Sequence, residues 1–260
     1  LKNLRTIHDI VMDIQKDDPS FSLQDIPLDV PEVYQMFAKA DTTGIFQFET
    51  ETFKPQLRKM HPERFEDLVA ANALNRPGAS GNIDTYINNK QHPEQIQYPS
   101  KELKEILQDT YGVMIYQEQV MLALQKAAGF SLGKADILRR AISKKKSDVM
   151  TGMRQEFVKG CMANHYTKEA AEELYNYIEK FSGYGFNKSH SVAYSYIAYQ
   201  LAYLKVKYPM YFYSALLNSV ISDQDKTSQY VDECRRRGIQ ILYPDVNASQ
   251  ETYQGTENAI

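Results

Sequence analysis

The chain of 260 residues has no tryptophan and only two cysteines, Cys161 and Cys234. Two thiols in helical-looking segments, away from any C-x-x-C spacing, exclude a disulfide framework and a four-cysteine zinc site, and they suit a reducing cytoplasm. Long apolar runs are missing as well. Stretches such as Val113 to Ile115 and Ala215 to Leu217 fall far short of the roughly 20 residues that span a bilayer, so no membrane partner is expected. There is no basic, apolar leader, and the chain starts on Leu1 rather than methionine; an excised piece of a longer polypeptide is expected. The five histidines, His8, His61, His92, His165 and His190, lack H-E-x-x-H or any other paired metal spacing. Carboxylates set in pairs on apolar strands, the arrangement that holds magnesium for phosphoryl transfer, are not found. Asp223-Gln-Asp225 has the D-x-D spelling but sits in a polar stretch and reads as solvated.

Two segments look like phosphate-binding loops and fail the pattern G-x-x-x-x-G-K-[ST], whose amides cradle phosphates while the lysine and hydroxyl meet phosphate and magnesium. Gly129-Phe-Ser-Leu-Gly133-Lys134-Ala135 is one residue short and ends in alanine. Gly183-Tyr-Gly-Phe-Asn187-Lys188-Ser189 has asparagine before the lysine. An autonomous ATPase of that class is excluded.

What remains is an ordinary globular composition, 43% hydrophobic and 24% charged, with net charge −3. The average hides a basic segment. Between Lys134 and Lys159 stand eight positive residues (Lys134, Arg139, Arg140, Lys144, Lys145, Lys146, Arg154, Lys159) against three negative ones (Asp136, Asp148, Glu156). Apolar spacings of three and four predict amphipathic helices. The first carries Leu1, Leu4, Ile7, Val11 and Ile14. Others cover Val33 to Ala40, Phe65 to Asn75, Tyr111 to Ala128, Lys134 to Ile142, Met150 to Cys161, Ala170 to Phe181, Ser189 to Lys207 and Tyr211 to Val220, with a basic helix ending at Arg235-Arg-Arg-Gly238. Residues Gly78 to Gln97, rich in Gly, Asn, Ser and Pro, read as mostly loop. Short strands are expected only near Ile45 to Phe48 and Ile239 to Leu242.

Two constellations carry possible chemistry. Arg139 and Arg140 stand about 100° apart on a helix, followed by Lys144, Lys145 and Lys146 at its C-terminal end. Guanidinium forks pair bidentately with phosphate oxygens and lysines add positive potential; a solvated helix end whose cations complement the dipole fits the same spelling. The second is Phe181-Ser-Gly-Tyr-Gly-Phe-Asn-Lys-Ser-His-Ser191. Ser189 or Ser191 is expected to cap the next helix, leaving Lys188 and His190 near its positive end, where an anion is favoured. A plain helix connection with a half-buried histidine fits equally. Most of the 19 tyrosines are expected to pack in the core or at its rim.

Taken together, Gly44-Ile-Phe-Gln-Phe-Glu49, Ala73-Leu-Asn-Arg-Pro-Gly78, Tyr111-Gly-Val-Met-Ile-Tyr-Gln-Glu-Gln-Val-Met121, Leu138-Arg-Arg-Ala-Ile-Ser-Lys-Lys-Lys146 and Tyr184-Gly-Phe-Asn-Lys-Ser-His190 resemble, in order, motifs of the alpha subunits of bacterial DNA polymerase III, the C-family replicative polymerases. Asn75 and Gly78 to Gly81 resemble the Gram-positive form. The resemblance implies a mainly α fold: a multi-helix fingers domain with a few short strands, plus the truncated start of a helix-hairpin-helix region. It implies palm-to-fingers connector helices over 1–40, fingers over 41–221, and the helix-hairpin-helix start over 222–260, with the boundary near the polar stretch at 222.

The resemblance also implies a function and a division of labour. This part of the polymerase binds the incoming deoxynucleoside triphosphate and the nascent base pair. The nucleotide-binding residues implied are Arg139, Arg140, Asn187, Lys188, Ser189 and His190, with Arg76, Lys144, Lys145 and Lys146 as lesser DNA or phosphate contacts. The magnesium ions belong to aspartates of an absent palm, so no metal, no cofactor and no catalytic residue are expected in this chain, and the piece alone should be inactive. Implied partners are the dNTP, primer-template DNA, the palm and thumb of the same polypeptide and, through absent regions, the sliding clamp and other replisome proteins, all in the cytoplasm. A non-enzymatic helical DNA-binding module, or a structural subunit whose basic helix meets an acidic partner, fits the charge pattern but leaves the joint motifs unexplained.

Overall fold

A computed structural model describes residues 2–76, 80–98, 100–144, 146–182, 185–247, 249–256 and 259–260. The fold is mainly α, and by packing the chain divides into two compact units, residues 1–65 with 194–260, and residues 66–193.

The first unit contains α1 (Lys2–Asp17), α2 (Pro31–Ala38), α3 (Lys54–Met60), α12 (Pro209–Asn218) and α13 (Gln224–Arg236). The stripe on α1 is rotated from the expected one: Thr6, Ile7, Ile10 and Ile14 are buried, while Leu4 is exposed. Burying each such isoleucine contributes roughly 1.5–3 kcal/mol; this face packs on α12. Pro31 and Pro209 stand in the first turns of α2 and α12, where a missing N–H costs nothing. Phe37, Phe48 and Phe53 form a buried edge-to-face and tilted series. Gly44 is required in the adjoining loop: its φ is +77°, and a Cβ there would come within 2.8 Å of Leu216 on α12.

The second unit contains α5 (Ile83–Gln91), α6 (Lys101–Leu107), α7 (Gln117–Ala128), α8 (Leu132–Ser143), α9 (Ser147–Ala163) and α10 (Lys168–Ser182). α6, α8, α9 and α10 all pack against α7. Leu103, Val120, Leu124, Leu138, Phe157, Leu174 and Ile178 lie in their shared core. Ser100 and Ser131 cap α6 and α8 by accepting from the backbone N–H of Leu103 and Lys134, and Gly129 in the left-handed region ends α7. The remaining helices, α4 (Phe65–Leu74) and α11 (Lys188–Lys207), contain the two points where the units divide.

Several expectations need correction. Residues 83–91 form α5 rather than loop, because Ile83 and Tyr86 are buried and the Tyr86 hydroxyl donates to Asp67 of α4 at 3.0 Å; tertiary contacts override weak propensity. No strand forms at Ile45 to Phe48. The segment is a pair of turns, with Ile45 N–H donating to Thr42 O and Phe48 N–H to Ile45 O, and its apolar residues are buried by turning. At Ile239 to Leu242 the pairing is a single parallel bridge between Gln240 and Ala259. Residues 111–116 are turn and extended chain, so α7 starts only at Gln117. The expectation that Asp223 and Asp225 are solvated is not overturned: Asp225 is exposed, and the partly exposed Asp223 also caps α13 by accepting from Lys226 N–H.

Candidate functional site

The start of α7 organises the second constellation. Gln119 is buried, and its Oε1 accepts from the backbone N–H groups of Ile115 at 2.8 Å and Tyr116 at 2.9 Å. These are donors that a helix start otherwise leaves unpaired. Its amide donates back to Thr110 Oγ1 at 2.8 Å. With the segment ahead of α7 held this way, Phe186 N–H donates to Ile115 O and Gln117 N–H donates to Phe186 O. The Gln117 amide also donates to Gly185 O. Glu118 completes the seat: Oε1 accepts from Asn187 Nδ2 at 2.9 Å and Oε2 from Lys188 N–H at 3.0 Å. A carboxylate at two helix N-termini is favoured by both dipoles.

Asn187, and neither Ser189 nor Ser191, caps α11. Its Oδ1 accepts from His190 N–H at 2.8 Å, while the Ser191 hydroxyl is buried and donates to Val69 O of α4 at 2.7 Å. Residues Asn187, Lys188, Ser189 and His190 are exposed. The Arg76 guanidinium lies 3.9 Å from the centre of the Phe186 ring. Phe186 meets the His190 ring edge-to-face at 5.5 Å, and the Lys188 ammonium lies 5.5 Å from the Tyr116 ring. The structure thus gathers Arg76 and His190 on the Phe186 ring and Lys188 on the Tyr116 ring, at the positive end of α11.

Arg139 and Arg140 stand on α8. Both guanidinium groups share Asp136, one turn earlier on the same helix. Arg139 donates from Nε and Nη2 to Oδ1 at 3.0 and 2.7 Å, and Arg140 Nη2 stands 2.7 Å from Oδ2. The bonds from Arg139, with Arg140 beyond, hold the Asp136 carboxyl below its usual range. Lys144 closes the helix and Lys146 follows it, both exposed; Lys145 lies outside the described residues. Much of the basic segment is internally paired, since Lys134 meets Glu156 and Arg154 meets Glu172 of α10. The two constellations have a common support in α7, whose first turn seats residues 185–188 and whose body packs on α8.

The sequence reading passed over Glu118, Gln119 and Asp136. Glu118 and Gln119 lay within a recognised motif, and Asp136 stands at the i−3 and i−4 positions from the two arginines, the spacing of helical ion pairs. Among the described residues no group of three His, Cys, Asp or Glu side chains is placed to hold a metal ion. No helix among them is long and apolar enough to cross a membrane. Both cysteines are buried on helices, and burial pushes the thiols of Cys161 and Cys234 up to about 11 and about 12, so neither is a ready nucleophile.

The family described as the bacterial DNA polymerase III alpha subunit finger domain matches residues 3–165. DNA polymerase III subunit alpha of Bacillus subtilis is 47% identical over 96% of this chain and 22% of its own length. The corresponding subunits of Staphylococcus epidermidis and Staphylococcus aureus are 42% identical over the whole chain and 24% of theirs. The chain therefore spans under a quarter of the length of these curated relatives. The family match contains α8 with Arg139 and Arg140, and the similarity to the Staphylococcus subunits spans the whole chain, residues 187–190 included. This chain belongs to the bacterial DNA polymerase III alpha subunit finger-domain family.

Proposed function

We propose that these residues are the fingers portion of a replicative, DNA-directed DNA polymerase, binding the incoming dNTP and the nascent base pair during template-directed synthesis. Residues 1–40 would connect palm to fingers, 41–221 form the fingers and 222–260 begin the helix-hairpin-helix region. One observation carries the reading: the finger-domain match covers α8 and its arginine pair. Arg139 and Arg140 take phosphate oxygens of the triphosphate and offset the charge that grows on the leaving pyrophosphate, an electrostatic role worth orders of magnitude in rate. Lys188, Ser189 and His190, exposed at the start of α11 and set by Asn187 and Glu118, line the sugar and base side of the pocket. Arg76, Lys144 and Lys146, together with Lys145, add phosphate or DNA contacts.

Magnesium, held by palm aspartates outside these residues, would supply activation of the attacking hydroxyl and charge neutralisation. The piece alone therefore does not extend a primer. In the complete cytoplasmic enzyme its partners are primer-template DNA, the palm and thumb of the same polypeptide and, through other regions, the sliding clamp and replisome proteins.

The test is steady-state primer extension by the full-length polymerase, comparing wild type with Arg139→Ala and Arg140→Ala, with primer-template affinity measured at the same salt. A fall in kcat/KM for all four deoxynucleotides with DNA affinity and its salt slope unchanged supports the reading. A fall in DNA affinity with nucleotide KM unchanged makes α8 a backbone-binding face instead.

A further inference from the structure

The carboxylate of Asp136 does to the arginine pair what a phosphate group would do. It offers one oxygen to each guanidinium, Oδ1 to Arg139 and Oδ2 to Arg140, at contact distances of 2.7 Å. Guanidinium forks accept carboxylate and phosphate oxygens with nearly the same geometry, so the two ligands exclude one another wherever they seek the same N–H groups. The two arginines are not held alike. The Arg139 side chain is only 15% exposed and donates twice to Oδ1. The Arg140 side chain is 66% exposed and its ion pair with Oδ2 is its contact with Asp136.

We propose that Asp136 is a placeholder for phosphate, which holds the arginine pair before a nucleotide binds and from which Arg140 transfers to the triphosphate, while Arg139 keeps its Nε and Nη2 bonds to Oδ1 and meets the triphosphate through its remaining N–H groups. This rests on the reading that the pair binds the triphosphate. Asp136 is then a positioning residue that sets nucleotide affinity: it keeps the guanidinium groups ordered and partly neutralised between turnovers, and every triphosphate must outcompete it. Because pyrophosphate leaves from the same arginines, return of Arg140 to Asp136 also weakens product retention.

The test uses the full-length polymerase in steady-state primer extension at one salt concentration, reading dNTP KM, kcat and the inhibition constant of added pyrophosphate. Asp136→Asn removes the charge and keeps the shape; Asp136→Ala, a favourable helix residue, repeats the test without an amide. Both are expected to lower nucleotide KM and the pyrophosphate inhibition constant by about two- to five-fold, the range of a partly exposed ion pair. Adding Arg140→Ala to either is expected to abolish the gain. A nucleotide KM that rises or stays unchanged in both Asp136 variants, while Arg140→Ala alone raises it, overturns the placeholder and leaves the triphosphate reading intact. A gain that persists without Arg140 overturns it also. If Arg140→Ala alone leaves nucleotide KM untouched, the triphosphate reading itself falls, and the placeholder with it.

Discussion

Glu118 and Asn187, 69 residues apart in sequence, are joined by a hydrogen bond of 2.9 Å from the asparagine amide to the glutamate carboxylate. The other carboxylate oxygen takes the backbone N–H of Lys188 at 3.0 Å, so both partners of Glu118 are donors. Glu118→Gln puts an amide donor against one of them. The expected result in the full-length enzyme is a rise in nucleotide KM of roughly tenfold with primer-template affinity unchanged, together with a loss of about 1–2 kcal/mol of stability. An unchanged KM would separate residues 187–190 from nucleotide binding.

Asp67 on α4 is fully buried and accepts from the Tyr86 hydroxyl at 3.0 Å and from the Lys90 ammonium at 2.7 Å, pinning α5. Removing the cation while leaving the carboxylate in place strands buried charge. Lys90→Met is expected to cost about 3–5 kcal/mol and Tyr86→Phe about 1–3 kcal/mol in urea unfolding of the chain. Equal and small effects of both would show that Asp67 is satisfied without them.

Two glycines on α9 make a paired test of packing. A Cβ on Gly160 would lie 2.3 Å from the backbone oxygen of Ala128 on α7, whereas one on Gly152 meets nothing within 4 Å. Gly160→Ala is expected to destabilise by about 1–3 kcal/mol. Gly152→Ala is expected to stabilise by about 0.5–1 kcal/mol through helix propensity. Thermal melts of the two variants should move in opposite directions.

Lys205 on α11 has no exposed side-chain surface. Its ammonium donates to the carbonyls of Asp41 at 3.0 Å and Thr43 at 2.9 Å, and Glu233 of α13 stands 3.7 Å away. Burial, joined by the Arg237 charge and opposed by Asp41 and Glu233, pulls its pKa down to about 8 from an ordinary 10.5. Between those values the unfolded chain holds the proton and the folded chain releases it, so this group makes stability rise with pH over that window. The stability of wild type minus that of Lys205→Met should therefore climb from pH 8 to pH 10. A flat difference would mean that Lys205 keeps its ordinary pKa in the fold.

Helices were legible wherever an apolar stripe was long enough to fix a period. α9 and α10 bury Phe157, Cys161, Leu174 and Ile178 as their spacing requires, with Met150, Met153, Tyr177 and Phe181 packed beside them. α5 was hidden because nine polar-rich residues carry only Ile83 and Tyr86 inward. Ile45 to Phe48 was misread because a short apolar run spells a strand or a buried turn equally well. Arg139 and Arg140 could be singled out by their chemistry, and even their partner Asp136 was within reach, since it precedes them by one helical turn, at the i,i+3 and i,i+4 spacings of ion pairs. The cap of α11 was assigned to a serine on preference alone, and Asn187 holds it because Glu118 fixes the asparagine amide from outside.

The sequence by itself determined the helical class, the order of the longer amphipathic helices and, through five motifs in register, the family, because periodicity and motif spelling are local properties of the chain. Only the tertiary structure decided that the Gln117-Glu118-Gln119 motif is the seat of residues 185–188, that the Ser191 hydroxyl turns inward to Val69, and that Lys205 is buried between Asp41 and Glu233. Each of those contacts joins residues dozens of positions apart. Which donor meets which acceptor there depends on the faces that the packed helices present, a choice made by burial of the core and not by neighbours along the chain.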